Sequence, residues 1–372
     1  MRDLLFLLGS LGVILGGAEL FTNGVEWLGK KLRLSEGTVG SILAAVGTAL
    51  PETSIPVIAL LLGQEEAAQE IGIGAILGAP FMLGTLALFI TGLAAMHFPV
   101  NGSYRRNLMV NREVVIRDLE FFLLVYSMAI FAAFLRAGIA RRGVALFLVG
   151  AYLLYVYRTV TSGSTLESRD LPPLYLDRRS ADPAISRVAF QVGLSLLAIA
   201  GGARLFVAGV ASLATAIGAS PFILSLVIAP VATELPEKFN SIIWLRGGKD
   251  TLALGNITGA MVFQSSLIPA LGILLTPWLL DPLAVASASL ALASAGLIYL
   301  TIRFRGTLPP TALLVGGFFY SAFIITVTAY HRGEVAIYLV LVPVLALLFY
   351  LDRRYRGRVR MQNQVLPGPE GG

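Results

Sequence analysis

The chain of 372 residues is 56% hydrophobic and only 13% charged, with a mean hydropathy of +0.80, whereas soluble domains are about a quarter charged. It contains no cysteine, which excludes disulfides, thiolate nucleophiles and cysteine metal sites, and only two histidines, His97 and His331, which excludes a histidine metal cluster. A net charge of +6 raises the question of nucleic acid, and the distribution of that charge answers it.

The first apolar run, 4–28, has one basic residue before it, Arg2 beside Asp3, and no small-x-small cleavage site, so it reads as a retained span and not a signal peptide. A spanning helix needs about 20 mostly apolar residues. Further candidates follow at 37–62, 71–96, 119–136, 142–160, 187–215, 220–245, 252–276, 282–302, 309–329 and 335–351. A polar connection, 161–186, divides the chain. The expected organisation is a first half of five spans over 1–160, a cytoplasmic linker over 161–186, a second half of five spans over 187–330, and an eleventh span with a basic cytoplasmic tail over 331–372.

With the N-terminus outside, the inside loops and tail hold 21 of the 28 Lys and Arg residues. The outside holds Arg2, Arg136, Arg141, Arg142 and Arg332, and Arg204 and Lys238 fall within spans. The positive-inside rule selects this orientation for a multi-pass cell-membrane protein whose C-terminus lies in the cytoplasm. The same asymmetry accounts for the net charge without nucleic acid as a partner.

Residues 16–52 align with 201–237 at a constant offset of 185, with 15 of 37 positions identical. Scattered Leu and Ala matches would follow from shared apolar composition; a Gly-Gly-Ala-x-Leu-Phe block, a Gly-Val pair and a Leu-Pro-Glu triplet in one register do not. The match resumes after a length change, 72–79 against 253–260. The first copy starts in span 1 and the second in span 6. Five spans, an odd number, separate them, so the copies are inverted in the membrane. Inverted repeats are a secondary-transporter design with the site at the repeat interface near the midplane.

Four acidic residues fall inside these spans: Glu19, Glu52, Glu234 and Glu237. Such residues are costly in lipid and mark function. Glu52 and Glu237 are repeat partners, and each follows a proline, Pro51 or Pro236. Proline has no N–H, so the carbonyls four residues earlier, of Gly47 and Ala232, lose their helical partner. Thr48 and Thr233 stand beside them with carbonyls able to tilt off the axis. Two carboxylates with freed carbonyl oxygens form an all-oxygen environment, which suits hard cations such as Ca²⁺ or Na⁺. Glu234 precedes Lys238 by four residues, the favourable order for an ion pair on a helix; it serves either as a structural pair or in coupling. Glu19 and Arg204 are repeat partners of opposite sign, which inverted symmetry puts on opposite sides of the midplane unless both lie near it, so a direct pair is possible but not implied. The six in-span charges sum to −2, the balance for one divalent cation.

Residues 47–52, Gly-Thr-Ala-Leu-Pro-Glu, resemble the G-T-S-L-P-E signature of the calcium/cation antiporter superfamily, the sodium/calcium exchangers. Residues 232–237, Ala-Thr-Glu-Leu-Pro-Glu, resemble its second copy. Gly17-Ala-Glu-Leu20 and Gly255-Asn-Ile-Thr-Gly259 are similar to further parts of that family's two repeats. The resemblance implies an all-α membrane fold of two inverted five-helix repeats plus an eleventh span. It also implies Ca²⁺ held by Glu52, Glu237 and the Thr48 and Thr233 carbonyls, and alternating access by movement of spans 1 and 6 against the rest. The chain departs from the pattern at Leu83 and Gln264, where the family carries Asn or Asp, and at Ala49, Glu234, Ala79 and Ala260, where it carries Ser. Gln264 and Glu234 stay in the expected cation-binding set; Lys238, Glu19 and Arg204 are expected in coupling or charge balance.

No cofactor is implied, because the ions are cargo. The expected function is a secondary antiporter exchanging Ca²⁺ for Na⁺ or H⁺. The alternatives are a proton-coupled exchanger of Na⁺ or of another divalent cation, and a passive cation channel. An intramembrane protease needs paired in-span aspartates, a central histidine or a His-Glu motif, and these spans are expected to hold none of them.

Overall fold

The computed structural model describes residues 2–31, 44–63, 66–100, 102–161, 172–332 and 336–365. Residues 37–43 of the expected second span lie outside that set.

The described residues fold into helices: α1 Arg2–Lys31, α2 Ala44–Leu62, α3 Glu66–His97, α4 Arg112–Phe131, α5 Gly138–Thr161, α6 Ile185–Ile217, α7 Pro221–Arg246, α8 Asp250–Leu275, α9 Pro282–Arg305, α10 Val315–Arg332 and α11 Ala336–Val365. Each overlaps one expected span. Among the described residues, seven helical stretches are long and apolar enough to cross a membrane, in α1, α3, α5, α6, α8, α9 and Pro310–Val327. The chain is an all-helical integral membrane protein.

Local chemistry sets the helix ends. Asn111 caps α4, its Oδ1 accepting from the N–H groups of Glu113 and Val114 at 3.1 and 3.3 Å. The helix therefore starts seven residues before the apolar run at 119, and it carries Arg117 and Asp118 with it. Asp281 caps α9, with Pro282 in the first turn, where its missing N–H costs nothing. Gly218 and Gly306 end α6 and α9 with φ of +67°, a left-handed conformation that glycine adopts without strain. Leu83–Ala87 make a π turn inside α3. α11 continues well past its apolar stretch, so the basic tail begins as helix.

The chain divides into two compact units that cut across the sequence halves. One comprises Met1–Ile76, Ala145–Thr233 and Ala270–Pro277; the other comprises Leu77–Val144, Glu234–Pro269 and Trp278–Gly372.

In the first unit, α1 and α6 pack antiparallel along glycines. A Cβ on Gly17 would lie 2.9 Å from Ile199 Cγ1 and 3.3 Å from the Ser195 carbonyl oxygen; one on Gly202 would lie 2.9 Å from Ile14 Cγ1 and 3.1 Å from the Ser10 carbonyl oxygen. Gly24 meets Val192 and Gln191, as Gly209 meets Leu7 and Phe6. Each contact maps onto its counterpart by adding 185, so the two helices are related by a two-fold axis across them. Small residues allow this approach, which supplies the packing that lipid cannot drive. Leu7, Ile14, Ile55, Ile71, Phe206 and Val210 form the adjoining core.

The linker seals one end of the same pair. Trp27 Nε1 donates to the Pro172 carbonyl at 2.9 Å, and Gln191 Nε2 donates to the Leu20 carbonyl and to Asn23 Oδ1, both at 2.9 Å. Leu174 is fully buried against Trp27 and Val188, and Lys31 pairs with Asp182 at 2.5 Å.

In the second unit, Arg105 gathers chain ends. Its Nε reaches Asp250 at 3.1 Å, its Nη1 donates to the Phe98 carbonyl at 2.6 Å, and its Nη2 donates to the Leu245 carbonyl. Tyr355 Oη donates to the Arg105 carbonyl. The C-terminal ends of α3 and α7, the start of α8 and the tail of α11 thus meet at one point, as they must if all share one side of the membrane.

Candidate cation site

α2 carries two interior prolines, Pro51 and Pro56. Pro51 frees the Gly47 carbonyl, and Pro56 frees that of Glu52 itself; the second was not among the expected features. The Ser54 hydroxyl donates to the Pro51 carbonyl at 2.9 Å. The Glu52 side chain is 7% exposed within a strongly apolar helix. Thr48 and Gly47 lie in the same helix, and their side-chain surroundings lie outside the described set.

α7 supplies the second copy. Thr233 is buried, and its hydroxyl donates to the Ala229 carbonyl at 3.0 Å. That back-bond commits the hydroxyl and slightly loosens the local ladder. Glu234 is 1% exposed. Ala232, Glu237 and Lys238 sit in α7 as expected, but their side chains lie outside the described set, and with them the Glu234–Lys238 pair.

α8 contributes Gln264, 3% exposed, whose Oε1 meets no hydrogen-bond partner among the described residues. A buried amide oxygen in that condition costs free energy until something donates to it or coordinates it. Asn256 Nδ2 donates to Ser241 Oγ at 3.2 Å, tying α8 to α7. Leu83 is fully buried and opens the π turn of α3. Thr85 Oγ1 closes back on the Phe81 carbonyl at 2.5 Å. A Cβ on Gly316 would lie only 2.2 Å from the Thr85 carbonyl oxygen, so α10 fits against this turn only as glycine. Such turns recur at functional sites.

Two expectations change. Glu19 is exposed and accepts from Tyr175 Oη in the linker at 2.9 Å, so it is not a carboxylate enclosed in the helix bundle. That hydrogen bond to Glu19 holds the Tyr175 phenol above its usual pKa. Arg204 is also exposed. The antiparallel α1–α6 register puts Glu19 level with about Ser195–Leu196 and Arg204 level with about Ser10–Leu11, roughly eight residues or about 12 Å apart along the axis. They do not pair.

One buried acid was missed. Asp118, 2% exposed, accepts from Thr258 Oγ1 at 2.8 Å and from Arg117 at 3.0 Å. It stands one residue before the apolar run that begins at 119; the Asn111 cap upstream is the signal that α4 begins earlier. Among the described residues, no group of three or more His, Asp and Glu side chains gathers as a metal site.

The sodium/calcium exchanger protein model matches residues 3–161 and 188–353, two segments whose starts lie 185 residues apart. The chain belongs to the sodium/calcium exchanger protein family. Relatives include the inner membrane protein YrbG of Escherichia coli (strain K12), 27% identical with 75% of this chain and 83% of that protein covered. The sodium/calcium exchanger MaX1 of Methanosarcina acetivorans is 24% identical, covering 81% of this chain and 89% of its own length. The crystal structure of an H⁺/Ca²⁺ exchanger, CAX, superposes with a TM-score of 0.66 at 16% identity over 98% of this chain and 90% of that one, a likeness of fold.

Proposed function

We propose that this exchanger-family chain is a secondary active cation antiporter that moves Ca²⁺ against Na⁺ or H⁺ by alternating access, through a site built on Glu52 and Glu237. The observation that carries the reading is the burial of Glu52 in an apolar helix directly after Pro51, with an equivalent Leu-Pro-Glu at 235–237. A carboxylate at such a position is stable only with a cation or a proton beside it. Glu234, the Thr48 and Thr233 carbonyls, the Gly47 and Ala232 carbonyls and the amide oxygen of Gln264 complete a set of hard oxygen donors. Lys238 adjusts the charge balance, with a smaller share from the exposed Glu19 and Arg204. The two-fold relation of α1 and α6 supports access from either side, since exchanging the conformations of two related halves turns one site from one face to the other.

The counter-ion is the finer question. Apolar Leu83 and neutral Gln264 in place of polar family ligands favour proton over sodium coupling, with a carboxylate that alternates between cation and proton as the coupling device. One relative is named a sodium/calcium exchanger, and a solved structure of like fold is that of an H⁺/Ca²⁺ exchanger. We take the N-terminus as outside and the C-terminus as cytoplasmic from the charge asymmetry. The test is ⁴⁵Ca²⁺ flux in proteoliposomes with Na⁺ and pH gradients imposed separately. Ca²⁺ movement driven by a pH gradient without Na⁺ supports the reading. Ca²⁺ flux down its own gradient that responds to neither counter-ion overturns exchange in favour of a channel.

A further inference from the structure

In the second unit, a cavity of about 490 Å³ opens beside the tail of α11. Ile90, Leu93, Ala94, Met96 and Phe98 of the α3 end, Ile242 of α7 and Leu351 of α11 make its apolar wall. Its rim carries Arg354 and Arg358, with His97 nearby and no acidic residue. We propose that this cavity binds an anionic phospholipid, one acyl chain lying against the apolar wall and the phosphate seated between Arg354 and Arg358.

The two arginines are four residues apart, hence neighbours on one helix face, where like charges repel unless an anion lies between them. The positions one turn further on that face are Tyr350 and Gln362, so that face of the helix offers no carboxylate of its own. Among the described residues, neither arginine enters an ion pair, whereas Arg356 on the next face is neutralised by Asp352 at 2.8 Å. Arg358 is steadied by the Tyr104 ring, 5.8 Å from its guanidinium carbon. Arg246 stands over Phe98, which lines the cavity, at 6.0 Å. The platform is rigid, because Tyr355, buried between the two arginines, is tied to the Arg105 carbonyl. A basic segment just beyond a spanning helix is attracted to anionic lipid in any case; here an apolar cavity for a chain adjoins the cationic rim. That combination selects a lipid over free phosphate, for which a wall of Ile, Leu, Met and Phe has no use.

Native mass spectrometry of the full-length protein in detergent tests this, titrated with dioleoyl phosphatidylglycerol, dioleoyl phosphatidylcholine or inorganic phosphate. Phosphatidylglycerol should bind at least about tenfold more tightly than phosphatidylcholine, and phosphate should neither bind nor compete. R354Q/R358Q should remove that preference, while R353Q, one position off the face, keeps it. Should the double variant not stay monodisperse, Ala94→Phe decides, since it fills the cavity and leaves both charges; it should weaken phosphatidylglycerol binding at least about fivefold. Equal binding of the two lipids, an undiminished preference in R354Q/R358Q, unchanged binding in Ala94→Phe, or full competition by phosphate would each overturn the proposal.

Discussion

Gly17 and Gly202 make the same approach from opposite helices: a Cβ on either would come within 2.9 Å of an isoleucine Cγ1 on the other, Ile199 or Ile14. Gly16 and Gly201 beside them would meet nothing within 4 Å. Gly17→Leu and Gly202→Leu should therefore each destabilise the chain by about 1–3 kcal/mol, the usual cost of overpacking, and by similar amounts. Gly16→Ala and Gly201→Ala should be neutral or stabilising by up to about 1 kcal/mol, because alanine is the better helix former. Thermal unfolding in detergent measures all four. Unequal losses at 17 and 202 would mean that the two-fold relation does not extend to the energetics.

Much of this fold was legible in the sequence because lipid makes a strong demand: each span must be an apolar helix, and the overlap of α1–α11 with the expected runs reflects that. The repeat was legible because glycine spacing is part of the packing; residues 17, 24, 202 and 209 all lie at the helix contact. Hydropathy is silent about polar residues that complete one another in space. Asp118 and Arg105 look like loop charges until Thr258 and Asp250, more than a hundred residues on, are brought beside them. The π turn at Leu83–Ala87 left no hydropathy mark either. Of the candidate site, the burial of Glu52, Thr233, Glu234 and Gln264 followed from their places in apolar helices, whereas Glu19 is exposed because it lies off the Gly17–Gly24 face by which α1 packs on α6.

Glu52→Gln and Glu237→Gln should each abolish Ca²⁺ binding and flux while leaving an inserted, monodisperse protein. Each change removes one charge and nearly keeps the shape, and a neutral amide costs less in the membrane than a carboxylate. Two carboxylates sharing one low-dielectric site cannot both be ionised when it is empty, so Ca²⁺ binding should release at least one proton near neutral pH. Calorimetry of the parent in buffers of different ionisation enthalpy reads that release. A Gln variant that binds Ca²⁺ as the parent does would remove that carboxylate from the site.

Leu83→Asn restores a polar group at the position where the family carries one. If its absence weakens Na⁺ coupling, the variant should show greater Na⁺ dependence of Ca²⁺ flux than the parent, at a stability cost of about 1–3 kcal/mol for a buried polar group without an assured partner. Flux in the parent that is strictly Na⁺-driven and indifferent to a pH gradient would contradict the premise.

Asp118→Asn should be milder than Asp118→Ala. Asn keeps an acceptor for Thr258 and loses the charge facing Arg117, whereas Ala orphans the buried Thr258 hydroxyl and opens a gap between α4 and α8. Arg117 is 37% exposed on its side chain, so water recovers part of its lost partner, and the Ala variant should lose about 1–3 kcal/mol. The test is a comparison of unfolding temperatures; Asn and Ala variants of equal stability would show that the Thr258 contact contributes nothing.

The Arg105–Asp250 pair presents the opposite case, since its side chains are 5% and 2% exposed and water cannot reach either. Removing one partner leaves a buried charge without compensation, which typically costs about 3–5 kcal/mol. Asp250→Asn should be tolerated better than Asp250→Ala, because an amide oxygen still accepts from Arg105 Nε and from the Met109 N–H, now 3.0 Å from Asp250 Oδ2. Arg105→Leu should cost more than either, since it also strips donors from the Phe98 and Leu245 carbonyls and releases the end of α3 from those of α7 and α11. Hydrogen exchange locates the effect: protection should fall at residues 98–111 and in α11 near Tyr355, while α1 and α6 keep theirs. Protection lost uniformly along the chain, or not lost near Tyr355, would show that Arg105 does not hold these ends together.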